Sequence, residues 1–325
     1  MDARRIADQV FPGRRVTAID QMNRGNRKQT SVVEFADEPS VIAQLSTDIG
    51  SIRSELAVTL AIGETDWIPV PRVLHGGVAG GTGYMLTESV AGEDLHERFS
   101  EFPTADRQRV AHSFGRVLGE IHAATDFETC GLVRPTGRQW ERDQWPVDVS
   151  LSALAVEEGI DPADWLVTYG TEALDRLPPA FDPEARQIKT RLEALSPTDW
   201  VSSHPPEPAL FPWDLRPGNA LVEDTQITAI LDWEAPMAAP VALTVAKVEY
   251  LVTDWYLEDP APERAAFRDG YRSVRPYPEI PPLQRALAIT ASAVDSNGVV
   301  TNPMYPELGR AEAIAFHRQA LQDCL

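Results

Sequence analysis

From residue 211 the chain reads Phe211-Pro212-Trp213-Asp214-Leu215-Arg216-Pro217-Gly218-Asn219-Ala220-Leu221-Val222, and a little later Ile230-Leu231-Asp232-Trp233-Glu234. Asp214, Asn219 and Asp232 thus put a carboxylate, an amide and a second carboxylate on two loops that bracket one short hairpin. Its predicted strands, 219–222 and 227–231, turn at Asp224-Thr225. Phosphoryl transfer needs such a set: a carboxylate near the nucleophilic hydroxyl, and oxygen donors that hold magnesium against the phosphates. Magnesium takes few protein ligands, so one amide and one carboxylate suffice. The same residues are also good turn formers, and Asp232 could merely accept backbone amides. The D-x4-N spacing followed by D-W-E at this interval favours the chemical reading.

These loops have to be carried by a large fold. The 325 residues, 43% of them hydrophobic, can bury a sizeable core. Forty-nine acidic against 29 basic residues give a net charge of -20, a surface that repels nucleic acid and anionic membrane. Only Lys28, Lys189 and Lys247 carry an ammonium group. An acidic, lysine-poor composition resembles that of halophilic proteins, where salt screens the self-repulsion; an ordinary acidic enzyme is the alternative. Cys130 and Cys324 form no disulfide framework, the histidines lack zinc-ligand spacing, and no segment reads as a leader or a membrane span. A cytoplasmic protein is expected.

Three short strands are predicted at 14–22, 30–35 and 40–45, then a helix capped by Asp48 and ending near Gly63, then strands at 71–75 and 84–90 around a Gly-rich turn. That turn, Gly76 to Gly83, precedes no helix and is expected to be a flexible hairpin connection rather than a phosphate cradle. Beyond Ala91 the pattern becomes helical, most plainly at 104–124, with further helices at 162–176, 183–195, 241–257, 262–274, 282–294 and 306–324. The segment 195–241 reads as strand-poor apart from its hairpin. The fold class is therefore α+β in two lobes, a small antiparallel sheet with one helix (1–90) and a larger, mainly helical lobe (91–325), with a cleft between them.

At these motifs the chain resembles the aminoglycoside phosphotransferase family, relatives of protein kinases with a catalytic H-G-D-x-x-x-x-N loop and a metal carboxylate in an I-D-W-E-like run. The resemblance implies a bilobal protein-kinase-like fold and transfer of a phosphoryl group from ATP or GTP, with Mg2+, to a small hydroxylated acceptor. It makes Asp214 the catalytic carboxylate and Asn219 and Asp232 the magnesium ligands, with Glu234 in an accessory place. It extends through most of the chain. Gly25 to Thr30, including Lys28, occupies the place of the loop over the phosphates, Val41-Ile42-Ala43-Gln44 that of the lysine-bearing strand, and Glu55 that of the lysine's glutamate partner. Tyr84 to Glu88 resembles the adenine-side hinge, Ala91 to Leu95 the approach to the second lobe, and Leu118 to His122 a helix end at which His122 is expected to pack.

Three departures stand out. Gln44 replaces the strand lysine and has no charge for the phosphates or for Glu55. Pro212 and Trp213 replace His and Gly in the catalytic loop, and Ala238-Ala239-Pro240 stands where the family often has Gly-Asp-Pro. Lys28 or Arg27 could reach the phosphates instead, and Glu55 is left to Gln44, Arg53, Arg27 or water. A non-catalytic, pseudokinase-like binding protein is the alternative function. Of the tryptophans at 140, 145, 165, 200, 213, 233 and 255, some are expected at an acceptor pocket and most in the core.

Overall fold

The computed structural model describes residues 1–22, 28–65, 68–194 and 207–325. Helix α1 (Ala3–Val10) is capped by Asp2, whose side chain accepts from the Arg5 amide, and buries Ala3, Ile6 and Ala7. The sequence pattern had offered only a polar amphipathic stretch there. Strands β1 (Val16–Met22), β2 (Gln29–Phe35) and β3 (Val41–Ser46) form an antiparallel meander. Helix α2 (Ile49–Gly63) follows, capped by Asp48, and β4 (Val73–Ala79) and β5 (Thr82–Glu88) complete a five-stranded sheet of order β1-β2-β3-β5-β4. Strand alternation sorts its faces. Val33, Phe35, Val41, Ala43, Leu45 and Leu86 pack under α1, while Ile42 and Gln44 point to the other side and stay half-buried.

The glycines from Gly76 to Gly83 do two different jobs. Only Gly80 and Gly81, with φ of +56° and +77°, make the tight turn. Gly76 and Gly77 lie inside β4, where the loop at 143–145 docks as a partial extra strand: Val78 N–H donates to Asp143 O at 2.7 Å and Trp145 N–H to Gly76 O at 3.0 Å. A Cβ on Gly77 would stand 2.1 Å from Asp143 O, so the expected hairpin turn is confined to Gly80-Gly81, and Gly76-Gly77 form a seam joining the sheet to the rest of the chain.

The remainder contains β6 (Glu93–Asp94), α3 (Leu95–Arg98), α4 (Thr104–Ala124), β7 (Cys130–Pro135), β8 (Leu154–Ile160), α5 (Pro162–Asp175) and α6 (Asp182–Glu193). Then come β9 (Pro208–Phe211), β10 (Ala220–Glu223), β11 (Gln226–Ile230), β12 (Met237–Pro240), α7 (Val241–Glu249), α8 (Ala261–Arg272), α9 (Pro282–Ala293) and α10 (Arg310–Gln322). The 195–241 segment is not strand-poor where it is described. β9 and β12 join β7 and β8 in a four-stranded sheet of order β8-β7-β12-β9, and β6 adds to the β10-β11 hairpin. Four-residue strands buried along most of their length carry no alternation to read. The helix expected over 241–257 is α7 followed by a π-helical turn at Tyr250–Asp254. Helix α4 buries Val110, Phe114, Leu118 and Ile121 in the main core. It crosses α8 so closely that a Cβ on Gly115 would meet Phe267 O at 1.9 Å and one on Gly270 would meet His112 O at 2.0 Å.

Candidate active site

Continuing the β2–β3 register, in which Gln29 faces Leu45 and Thr30 faces Gln44, places Lys28 beside Ser46 on the same side as Gln44. Its side chain reaches three carboxylates. Lys28 Nζ donates to Glu55 Oε1 at 2.5 Å and to Asp232 Oδ1 at 3.0 Å, and Glu234 Oε2 lies 3.7 Å away. The expectation for Glu55 is corrected: its partner is Lys28, not Gln44, Arg53 or water. Glu55 sits on the buried stripe of α2 with Ile52, Leu56 and Thr59, and its side chain is only 2% exposed. Burial, reinforced by the Asp232 and Glu234 carboxylates, pushes its carboxyl up to about 6 although Lys28 pulls the other way. Burial alone would lower the Lys28 ammonium; Glu55 and Asp232 outweigh it and hold it above the usual lysine range. A cavity of about 260 Å³ opens here, lined by Lys28, Ser46, Asp48, Ser51, Glu55 and Glu234.

The carboxylate oxygens of Glu55, Asp232 and Glu234 lie within 4.8 Å of one another, an all-oxygen set that suits a hard cation such as magnesium. Asp232 has a φ of +63° and Ala235 one of +49°, strained backbone of the kind that survives where surrounding structure demands it. The β10-β11 hairpin brings the two loops together, because Leu231 N–H donates to Asn219 O at 2.8 Å and so sets Asp232 beside Asn219. The hairpin is tied in turn to residue 69 by Ile230 N–H donating to Pro69 O at 2.7 Å.

Asp214 is held by two donors. Arg216 Nε reaches Oδ1 at 2.9 Å, and Asn219 Nδ2 donates to Oδ2 at 3.0 Å and to the Asp214 backbone carbonyl at 2.9 Å. With its nitrogen so engaged, Asn219 keeps its amide oxygen for another partner. Arg216 lies 5.5 Å from the Trp255 ring; burial would lower its guanidinium, but Asp214 and Tyr256 outweigh that and raise it. Tyr256 is bonded to His96 Nδ1 at 2.9 Å, so α3 also braces the loop.

Two residues escaped the sequence reading. Arg216 is the one charged side chain inside the D-x4-N interval, which was the available signal. Lys247, on α7, is 2% exposed and sets its Nζ 3.7 Å above the Trp213 ring centroid. Its signal was a lone lysine in the apolar run Val241 to Val248 of a chain with three lysines. Trp213 is half-buried, in contact with Phe211 and edge-on to Tyr169, whereas Trp140, Trp145, Trp165, Trp233 and Trp255 are buried.

Of the other singled-out residues, Gly25, Arg27 and Trp200 fall outside the described ones. The Gln44 backbone pairs with Thr30 and Met85, and Glu88 ends β5, where it accepts from the Arg72 amide at 3.2 Å. His122 is buried, bonded to Tyr271 at 3.0 Å, and lowered to about 3 by burial and by Arg275. Among the described residues no helix is long and apolar enough to cross a membrane.

Residues 42–283 match the phosphotransferase enzyme family, and the chain belongs to it. Its fold is shared with solved small-molecule kinases. The aminoglycoside phosphotransferase APH(4)-Ia superposes with a TM-score of 0.63 at 14% identity, over 99% of this chain and 96% of that one. A thermostable mutant of that protein, in ternary complex with AMP-PNP and hygromycin B, gives 0.59 at 15% identity, over 100% and 98%. A putative fructosamine-3-kinase from Thermobifida fusca YX-ER1 gives 0.57 at 19% identity, over 99% and 100%. No curated protein matches in sequence. The fold class is thus the bilobal, kinase-like α+β arrangement, in a chain of the phosphotransferase enzyme family.

Proposed function

We propose that the protein transfers the terminal phosphoryl group of ATP or GTP to a hydroxyl of a small acceptor, with residues 1–90 holding the nucleotide and 91–325 the acceptor. The observation that carries this reading is the Lys28–Glu55 pair at 2.5 Å, set beside Asp232 and Glu234. It supplies from a different strand the cation whose loss at Gln44 was the main argument for a non-catalytic binder.

In this reading Asp214 accepts the acceptor's hydroxyl proton as the oxygen attacks, its carboxylate oriented by Arg216 and Asn219. Lys28, steadied by Glu55, reaches the phosphates and counters the charge that spreads over them in transfer. The Asn219 amide oxygen and Asp232 would hold magnesium, with Glu234 nearby; when bound, the ion neutralises the phosphates and fixes their orientation. Glu88 marks the adenine side. The solved relative named with AMP-PNP and hygromycin B supports a nucleotide and a polyhydroxylated small molecule as ligands of this kind of fold. Location in the cytoplasm accords with this reading.

The test is calorimetry with ATP and GTP, with and without Mg2+ at high salt, followed by an acceptor screen read by nucleoside diphosphate release. On an accepted substrate, Asp214→Asn should abolish turnover and leave nucleotide affinity within about threefold, since the base acts on the acceptor. Turnover unchanged in that variant refutes the assignment; absence of nucleotide binding by the native protein favours the non-catalytic alternative.

A further inference from the structure

Around Trp213, the residue before Asp214, the charges do not balance. Lys247 is 2% exposed, and among the described residues it makes no hydrogen bond or ion pair; its contacts are the faces of Trp213 at 3.7 Å and Phe211 at 5.9 Å. An aromatic face offsets only part of the cost of burying an ammonium group. Helix α5 adds to the imbalance. Trp165 and Tyr169 stack on each other one turn apart at 4.9 Å, Tyr169 meets Trp213 edge-on at 5.8 Å, and the Tyr169 hydroxyl is buried without a hydrogen-bond partner. Two turns beyond Tyr169, on the same helical face, stands Arg176, half-buried and likewise without an ion pair among the described residues.

Burial drives the Lys247 ammonium down to about 7; Asp214 opposes that, and Arg176 and Arg216 add to it, so all three charges lie within electrostatic reach of Nζ. Asp214 is the one acid in that group, and Arg216 already occupies one of its oxygens. Lys247 and the unpartnered Tyr169 hydroxyl both border Trp213, and Arg176 follows Tyr169 on the same helical face; together they are donors suited to an oxyanion, in a chain whose net charge is -20. An amine-bearing acceptor would meet like charge here.

We propose, on the basis of the phosphotransferase reading, that the acceptor carries an anionic oxygen group, a carboxylate or a phosphate, as well as the hydroxyl it presents to Asp214, and that Lys247, Arg176 and the Tyr169 hydroxyl bind that group. Trp213, which replaces a glycine of the family's catalytic loop, borders this set of donors, with Lys247 packed against one face of its ring.

Three lysines make this directly observable. The full chain labelled with [ε-13C]lysine shows one carbon resonance each for Lys28, Lys189 and Lys247, assignable with the Lys189→Arg variant and by the response of Lys28 to Mg·ADP. A matched six-carbon series serves as the probe at constant ionic strength: gluconate, sorbitol 6-phosphate, sorbitol and glucamine. At least one of the two anions should move the Lys247 resonance saturably, at a concentration at least tenfold below that at which sorbitol does, and glucamine should leave it in place. Which anion is tighter separates a carboxylate from a phosphate acceptor. Arg176→Gln, at a half-buried helix end, should weaken the anion response at least fivefold without altering the Lys28 response to Mg·ADP. The proposal is overturned if sorbitol or glucamine moves Lys247 as strongly as the anions, or if neither anion moves it. Failure of the underlying reading shows elsewhere: a Lys28 resonance indifferent to Mg·ADP rejects nucleotide binding whatever Lys247 does.

Discussion

Replacing Lys28 by methionine removes the one cation that faces Glu55 among the described residues, and the cost should depend on pH in a way that can be worked out. Glu55 is pushed up to about 6 in the folded protein, from an ordinary value of 4.5. A carboxyl raised by folding loses native stability as pH climbs from the lower value to the upper and then levels off, here by about 2 kcal/mol. Without the ammonium, the buried carboxyl stays protonated in the folded state, and at pH 8 that state lies about 5 kcal/mol behind an unfolded chain whose Glu55 ionises freely. The difference, about 3 kcal/mol, is the expected pH-dependent cost of Lys28→Met at pH 8, and it falls below about 0.5 kcal/mol at pH 5.5, where native Glu55 is itself largely protonated. Urea unfolding followed by tryptophan emission at the two pH values measures it. The Lys28→Met/Glu55→Gln double variant should recover most of the loss at pH 8, because no buried charge is left alone, yet should still bind nucleotide poorly. A cost that is equal at both pH values, or one that Glu55→Gln does not relieve, would refute the pairing and with it the role given to Lys28.

Gln44→Lys should leave the native protein's nucleotide affinity nearly unchanged, since Glu55 is already matched, but should restore binding in the Lys28→Met background; calorimetry on both decides it. Asp232→Ala should erase the magnesium dependence of nucleotide binding, measured in the same way. Gly270→Ala forces a Cβ to within 2.0 Å of His112 O at the α4–α8 crossing. Overpacking against backbone should cost at least about 2 kcal/mol and lower the melting temperature by about 4–8 °C in a calorimetric scan.

The pair of loops that carries Asp214, Asn219 and Asp232 was legible because its residues are close in sequence: D-x4-N and D-W-E flank one hairpin, and local pattern suffices to bring them together. The amphipathic stripes of α2 and α4 were legible for the same reason. The Lys28 contacts were not, because they span 27 residues to Glu55 and 204 to Asp232 and depend on the β2–β3 register, which places position 28 beside 46. Nor were β9 and β12, four residues each and buried along most of their length, or the split role of Gly76 and Gly80, which share a residue type but answer to different neighbours. Lys247 comes from α7 and meets Trp213 only through tertiary packing.

The relocation of the cation from the middle of β3 to the residue just before β2 bears on how related sequences are judged. An alignment column scores this chain as lacking its lysine, and on that score it would be filed with the inactive relatives. The charge has moved one strand sideways while its acidic partner stayed in place, so the ion pair persists with its sequence address changed. Columns with a missing charged residue are therefore better read against the neighbouring strand: where a lysine lies within side-chain reach across the ladder, here two residues along from the vacant position, the ion pair has changed carriers.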